Sequence, residues 1–173
     1  MSFPNTVTIN ESKDVIWKRM VTNLSKDFYV INNLDKETGL INISYSSDPE
    51  TIIDCGRVTV EVKGPRPQTS RYAGAQAYAN FIGVIGNPPV MANFNRRISV
   101  EGRSNILVQS VGVKETSVTA NVRYIVTKDI STSLGHRSSS RSTFNSKGEG
   151  SFDDASQTRC RPTGKFESDI LKA

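Results

Sequence analysis

The residues that could carry out catalysis are few in this chain, and their spacing matches no familiar catalytic motif. His136 is the only histidine of the 173 residues, and it lies in a serine-rich, basic stretch at residues 131–141. A Ser-His-Asp arrangement needs a histidine that is held by a partner and shielded from water, which a serine-rich loop does not supply. The motifs GxGxxG, Walker A, GxSxG and HExxH are also missing from the sequence. We therefore expect no catalytic residue, no metal site and no cofactor.

Cys55 and Cys160 are the only cysteines and stand far apart in the sequence. They form no CxxC motif, and a zinc site would need about four ligands, for which only one histidine is present. Two interpretations remain, which are two free buried thiols or one disulfide bond. Each cysteine lies in a turn-like segment, beside Gly56 in one case and close to Pro162 in the other, and we therefore favour the disulfide. A disulfide would imply an oxidising compartment.

Basic residues form the remaining candidate set. Four arginines fall on predicted strands and could share the wet face of a sheet, namely Arg96, Arg97, Arg103 and Arg123. The net charge of +5 favours anionic surroundings without choosing among lipid head groups, acidic glycans and nucleic acid. The outward residues of these strands are mostly Thr, Asn, Ser and Glu, with no RNP-like aromatic pair. Nucleic acid is therefore an unlikely partner, and a solvated polar face is the simpler interpretation.

The elements that position these residues follow an α+β pattern in one domain, residues 1–173. Apolar residues at helical spacing, including Trp17, predict an amphipathic helix over residues 13–26 that packs on a sheet. A short final helix is predicted after Gly164, with Phe166, Ile170 and Leu171 as its apolar stripe. Strands are predicted at residues 5–10, 28–31, 40–46, 57–63, 96–111 (with a kink or bulge near Gly102) and 117–127.

Two segments lack a clear period. Residues 64–95 form an insertion-like segment, rich in Ala, Gly and aromatic residues and bounded by prolines. Long segments of this kind are often functional, although a short helix over about residues 74–81, packed on the sheet edge, is the simpler interpretation. Residues 131–151 predict a flexible Ser-rich hairpin loop, with a short strand around residues 142–145. From the first segment we select five interaction candidates, Tyr78, Phe81, Ile82, Val84 and Ile85, because they combine aromatic anchors with mobility.

The order of motifs in the first half resembles a known module. A short strand leads to a helix containing Val-Ile-Trp17, then to Phe-Tyr-Val-Ile-Asn32, and then to Asp-Lys-Glu-Thr-Gly39-Leu-Ile. Over residues 5–63 this order is similar to envelope lipoproteins such as the C subunit of the outer-membrane β-barrel assembly machinery. The whole chain, with Asp-Cys55-Gly and the late Cys160-Arg-Pro-Thr-Gly-Lys-Phe-Glu, also resembles uncharacterised bacterial lipoproteins.

The resemblance implies a fold, a compartment and a mode of action. The fold would be helix-grip-like, with a curved antiparallel sheet packed by the N-terminal helix and a short C-terminal helix. The protein would be an outer-membrane-anchored lipoprotein on the periplasmic side of the envelope. It would be tethered through an N-terminal lipid anchor that this sequence lacks, and it would have no enzymatic activity.

The leading functional hypothesis is accordingly an interaction or scaffold domain. It would present a sheet edge and residues 72–91 to an envelope protein. One alternative is a carrier that holds a lipid or another apolar ligand in a cavity under Trp17, between sheet and helix. The other alternative is a binder of nucleic acid or anionic glycan through the basic face.

Overall fold

The computed structural model describes residues 3–27 and 29–173. Fifteen elements occur along this part of the chain. In order they are β1 (Thr6–Ile9), α1 (Lys13–Lys26), β2 (Val30–Asp35), β3 (Leu40–Ser46), α2 (Pro49–Ile52), β4 (Ile53–Asp54), β5 (Arg57–Val62), β6 (Gln68–Ala73), β7 (Tyr78–Ile85), β8 (Val90–Gly112), β9 (Glu115–Thr132), β10 (Arg137–Asn145), β11 (Gly150–Ser151), β12 (Arg159–Pro162) and α3 (Lys165–Leu171).

A long hairpin of β8 and β9 organises a seven-stranded antiparallel sheet. Along the free edge of β8, β3 and β7 lie end to end, and along the free edge of β9, β1 and β10 do the same. β2 pairs with the outer side of β3. The sheet therefore has a proximal half, β2-β3-β8-β9-β1, beside the β8–β9 turn, and a distal half, β7-β8-β9-β10, at the other end.

One face of this sheet is covered and the other is open. Because side chains alternate along a strand, the apolar set of β9 lies on one face, as its sequence predicts. Those side chains are all buried: Val118, Ala120, Val122, Tyr124 and Val126. Over the proximal half lies α1, whose buried residues Ile16, Trp17, Met20 and Leu24 belong to the same hydrophobic core. The predicted α+β class, with a helix packed on an antiparallel sheet, is confirmed.

The short helix α3 docks on the same face at a glycine. A Cβ atom at Gly102 would lie 2.5 Å from Cε1 of Phe166, so the phenyl ring occupies the space that a larger residue would fill. The expected bulge near Gly102 is wrong, because the β8–β9 ladder passes Gly102 in register and shifts only between Ser110 and Gly112. The glycine is needed for the close approach of the ring.

A buried polar pair lies beside this docking point. The hydroxyl of Tyr124 donates to the carboxylate of Glu167, at 2.8 Å from each oxygen, and both residues are fully buried. Burial first, and then the neighbouring carboxylate, raises the pKa of Tyr124, so the phenol keeps its proton. The hydroxyl therefore stays a donor to Glu167 in the pH range of most cells.

The C-terminal region is tied to the middle of the chain by a disulfide bond. Cys55 and Cys160 are bonded to each other, and both are buried. Around them a small sheet joins β4 to β12 and β12 to β11. The predicted disulfide is thus confirmed, and it links segments that are 105 positions apart in the sequence.

Several element boundaries match the prediction closely. Helix α1 spans the residues expected of it, and β3 does so too. Gly39 adopts a positive φ of 77° in the β2–β3 turn. The second strand begins at Val30, and Phe28, its first predicted residue, lies outside the described residues.

The two segments without a clear period are mostly strands, which corrects both expectations. In place of a helix over residues 74–81, β6 ends at Ala73 and β7 begins at Tyr78. Apolar residues point to both faces of β7. The alternation of polar and apolar side chains that indicates a half-buried strand is therefore not visible in its sequence. The loop expected at residues 131–151 contains the nine-residue strand β10. Its buried positions include Ser140 and Ser142, so hydrophobicity does not alternate along it.

Candidate interaction site

The distal half of the sheet ends in a projecting hairpin, which we call the arm and which comprises residues 82–93. Within the arm, β7 and β8 pair with each other from Ile82–Asn93 to Ile85–Val90. The pairing of β8 with β9 begins only at Phe94 and Thr132. The arm is therefore a two-stranded extension beyond the four-stranded part of the distal half.

Exposed apolar side chains concentrate at this end of the molecule. Of the ten large hydrophobic residues described as exposed, five lie on the arm, at its base or in the adjoining β9–β10 turn: Tyr78, Val84, Val90, Met91 and Leu134. Val84 and Met91 are cross-strand partners, each about half exposed. Grouped exposure of this kind marks interaction sites, whereas single exposed apolar residues are ordinary.

The outer edge of β7 is unpaired. Among the described residues, β8 is the only strand in a ladder with β7. The N–H of Ile98 donates to the carbonyl of Ala77, at 2.9 Å, so odd-numbered residues of β7 direct their backbone groups toward β8. By the same alternation, the N–H and C=O groups of Asn80, Ile82 and Val84 point to the free edge. One further acceptor on this edge, the carbonyl of Tyr78, is bound by the side-chain amide of Gln76 at 2.8 Å.

This edge lacks the features that protect the other edges of the sheet. β7 reads Tyr-Ala-Asn-Phe-Ile-Gly-Val-Ile, with no charge and no proline. By contrast, β1 has four residues, β2 carries Asp35 and a register shift after Ile31, and β10 carries Arg137 and Arg141. Short length, irregular pairing and charge are the usual means of preventing strand addition. β7 has none of them, and the β5–β6 hairpin, which packs close to β7, forms no ladder with it among the described residues.

A groove and an aromatic stack accompany the edge. The groove, of about 630 Å³, borders β7 and is lined in part by Gln68 and Ser70 of β6. On the covered face, the ring of Phe81 stacks between Tyr72 and Phe94, with centroid distances of 5.6 Å and 5.1 Å. The stack packs the covered side of β7 against β6 and β8.

The five sequence-selected interaction candidates divide between the two faces. Tyr78, Ile82 and Val84 lie on the open face, whereas Phe81 and Ile85 alternate with them and face the covered side. Val90 and Met91 lie inside the predicted interaction segment, residues 72–91, but are not among the five candidates, and Leu134 lies outside that segment. A hairpin centred on Gly-Asn-Pro-Pro at residues 86–89 would have placed Val90 and Met91 opposite Ile85 and Val84.

The four arginines divide as well. Arg97, Arg103 and Arg123 are on the open face, and Arg103 is held by Glu101 at 2.7 Å. Arg96 does not share that face, which corrects the prediction, because neighbouring residues of a strand point in opposite directions. It is 2% exposed, and its Nη2 donates to the carbonyl of Gly74 at 2.9 Å.

Arg96 is held by an aromatic ring as well as by the backbone. Its guanidinium carbon lies 5.2 Å from the ring centroid of Tyr72. Burial lowers the pKa of Arg96, and the nearby groups Tyr72 and Asp154 partly oppose that effect. Its Nη1 has no hydrogen-bond partner among the described residues. Arg96 is therefore a structural residue of the covered face.

A second buried cation lies on that face. Lys128 is 4% exposed and forms an ion pair with Asp154 at 2.6 Å. Burial alone would raise the pKa of Asp154, but the hydrogen bonds from Lys128, Ser156 and Ser140 outweigh it and hold that pKa well below its ordinary value. This pair fixes the segment after β11 on the distal half of the sheet.

His136, the histidine considered as a catalytic base, lies in the turn between β9 and β10. The residue is exposed, and its backbone N–H donates to Oγ1 of Thr132 at 3.2 Å. Within residues 3–27 and 29–173, no group of three or more His, Cys, Asp and Glu side chains could hold a metal ion. In the same part of the chain, no helix has the length and apolar character needed to cross a membrane.

Comparison with known proteins gives no relative from which a role could be taken. The chain matches no protein-family model, no curated protein and no solved structure.

Proposed function

We propose that the protein is a non-enzymatic interaction domain that captures a partner protein through the edge of β7 and the arm. The observation that carries the proposal is the unpaired edge of β7, which has no charge and no proline, next to the exposed apolar pair Val84 and Met91. An extended segment of the partner would add to the sheet beside β7. Its backbone would pair with Asn80, Ile82 and Val84, and its apolar side chains would cover Val84 and Met91.

The mode of capture separates affinity from specificity. Main-chain hydrogen bonds along β7 would give affinity for any extended segment. Specificity would come from the side chains on either side of the edge, where the groove of about 630 Å³ lies. The partner segment would therefore alternate apolar and polar residues, with its apolar side chains directed to the open face of the arm.

The alternative of an apolar-ligand carrier has weaker support. It needs space between α1 and the sheet, where Trp17 is 8% exposed and Ile16 and Leu24 are at most 1% exposed. These side chains fill the interface with others of the same core. The arm, in contrast, offers apolar surface without any rearrangement.

For the compartment we propose the periplasmic side of a bacterial envelope, where a lipid anchor would hold the protein at the outer membrane. The Cys55–Cys160 disulfide supports this, since such bonds persist in oxidising compartments and are rare in the cytosol. The partner would then be another envelope protein.

Site-specific photocrosslinking in the producing cells tests the proposed function. A photoreactive residue at Met91 should give one adduct of defined mass. The same residue at Val113, which is 93% exposed in the β8–β9 turn at the opposite end of the sheet, should give none. The adduct should then be purified and its partner identified.

Charge substitutions separate specific capture from chance contact. Val84 is the cross-strand partner of Met91. The variant Val84→Lys should abolish the Met91 adduct, because the bound partner would bury the lysine against apolar atoms. Val113→Lys is the matched control and should leave the adduct unchanged. Both variants should keep the Tm of the unaltered protein, since both positions are exposed. Adducts that survive Val84→Lys, or that form equally at Val113, would refute the proposal.

A further inference from the structure

A second groove lies on the open face of the distal half, where Tyr78 of β7 forms part of its lining. It has a volume of about 640 Å³, within the range of small-molecule sites. Two rows of side chains cross the strands here, with Arg97 opposite Asp129 in one row, and Asn95 opposite Ser131 in the next. Tyr78 extends the first row, and Arg137 extends the second.

Two arginines of this groove are free to bind an anion. No described residue forms an ion pair with Arg97 or Arg137, whereas Arg103 on the same face is paired with Glu101. Arg97 and Arg137 occupy different rows and are separated by β9, so they reach the groove from two sides. Guanidinium groups bind carboxylates through two parallel hydrogen bonds, which gives direction as well as affinity.

The neutral lining suits a ligand with hydroxyl groups. Tyr78 is 49% exposed, and its ring offers an apolar face beside the arginines. Its hydroxyl lies 3.5 Å from Oδ1 of Asn95, which leaves the amide of Asn95 and the hydroxyl of Ser131 to exchange hydrogen bonds with a ligand. A pyranose ring combines an apolar C–H face with hydroxyl groups at its rim, and it matches this lining.

Asp129 decides which kind of anion the groove would accept. Its carboxylate lies directly across from Arg97, but the two form no ion pair within the described residues. A phosphate dianion, or the closely spaced phosphates of a nucleic-acid backbone, would be repelled by this carboxylate. A sugar carrying one carboxylate would instead donate its hydroxyl hydrogens to Asp129 while the arginines bind its acid group.

We infer that this groove is a binding site for an acidic saccharide, such as a uronic-acid-containing oligosaccharide. Arg97 and Arg137 bind the carboxylate, Tyr78 packs on the sugar ring, and Asp129 accepts hydrogen bonds from sugar hydroxyls. The site does not depend on the capture of a partner by the arm, and either one could fail without the other.

Titration of the whole protein with four probes tests the site by chemical-shift changes. The probes are a glucuronate-containing tetrasaccharide, a neutral N-acetylglucosamine tetramer, inorganic phosphate and a single-stranded oligonucleotide. The acidic tetrasaccharide should bind at least about tenfold more tightly than the other three, because only it satisfies both the arginines and Asp129. Equal or tighter binding of phosphate or the oligonucleotide would reduce the site to nonspecific charge attraction and overturn the inference.

Substitutions locate the binding in the groove. Arg97→Gln and Arg137→Gln should each weaken binding of the tetrasaccharide by about tenfold, the loss expected for one charged hydrogen-bonded contact. Arg141→Gln, on the same strand and face as Arg137 but outside the groove lining, is the control and should change binding less than twofold.

A comparison of tetrasaccharide and phosphate binding tests the role of Asp129. Asp129→Asn should weaken binding of the tetrasaccharide and strengthen binding of phosphate, because the repelling charge is removed. Failure of the tetrasaccharide to bind, or an equal loss with Arg141→Gln, would overturn the inference.

Discussion

Lys128 and Arg96 place two cations on the covered face of the distal half, where Asp154 is the nearby carboxylate. A buried cation that loses its counter-ion costs several kcal/mol, because its charge is neither hydrated nor paired. Asp154 is also fixed by the hydroxyl of Ser140, at 2.9 Å, and by the backbone N–H of Ser156, at 2.9 Å. The stability of the distal half therefore depends on the carboxylate of Asp154.

The variant Asp154→Asn should lower the free energy of unfolding at pH 7 by about 3 kcal/mol, because it leaves Lys128 buried and unpaired. The pKa of Asp154 is lower in the folded than in the unfolded state, so its stabilisation is complete above its unfolded pKa of about 3.9 and is lost as pH falls through the folded value. Urea unfolding of both proteins from pH 7 to pH 2.5 should therefore show a constant difference above about pH 5 that narrows in acid.

A matched control separates the loss of a buried ion pair from the loss of an exposed one. Glu101→Gln removes the partner of Arg103 on the exposed face, where an ion pair contributes at most about 1 kcal/mol. It should change the free energy of unfolding little at any pH. An equal effect of the two substitutions would contradict the importance given to Asp154.

For some single residues, burial and neighbours could not be predicted from the sequence. Arg96 and Arg97 are adjacent and of one type, so alternation predicts opposite faces without saying which arginine is buried. The answer depends on Tyr72 and Gly74, which lie on other elements. Tyr78 was selected as part of an apolar surface, but its neighbours in the groove come from three strands that only the register brings together.

Between elements, the docking of α3 on β8 depends on the absence of one side chain. The ring of Phe166 is fully buried, and it stacks on Tyr29 with a centroid distance of 5.8 Å. It also approaches Tyr45, at 5.2 Å. Three aromatic rings from α3, β3 and the segment before β2 therefore meet over Gly102.

The variant Gly102→Ala should destabilise the protein by about 1–3 kcal/mol, the usual cost of overpacking a filled core. Gly112→Ala on the same strand is the control, because the added Cβ would have its nearest neighbour at 3.4 Å. Chemical denaturation measures both. Adding Phe166→Leu to Gly102→Ala should recover part of the loss, since the two positions share one space. Equal stability of the two alanine variants would show that Phe166 does not need Gly102.

Elements with a single apolar face were predictable, and the others were not. Helix α1 and strand β3 have apolar residues at a regular spacing, and their predicted bounds match the structure. β7 carries apolar residues on both faces. Its covered face packs on Tyr72, and its other face belongs to the open face of the sheet. β10 buries serines instead of apolar residues. In both strands the deciding partners lie elsewhere in the chain, so the local period does not reveal them.

Across the whole molecule, the disulfide joins the segment after α2 to β12, which leads into α3. The bond closes a loop that contains the whole of the long β8–β9 hairpin. Linking residues so far apart restricts the unfolded chain, which stabilises the folded state. The bond also holds β12 in the small sheet that precedes α3.

The double variant Cys55→Ser, Cys160→Ser should lose about 4–5 kcal/mol of unfolding free energy, according to the chain-entropy model for a loop of about 100 residues. A reducing agent should destabilise the unaltered protein by a similar amount and leave the double variant unchanged. Urea denaturation with and without the agent measures this. Insensitivity of the unaltered protein would contradict the stabilising role of the bond.

Amide hydrogen exchange along β7 tests the proposed capture most directly, first in the free protein and then with the crosslinked partner bound. In the free protein, the amides of Phe81 and Gly83, which face β8, should exchange slowly, while those of Asn80, Ile82 and Val84 should exchange fast. Binding should protect these three amides, because the partner strand pairs with them. Their continued fast exchange in the complex, with protection appearing elsewhere, would contradict capture at the β7 edge.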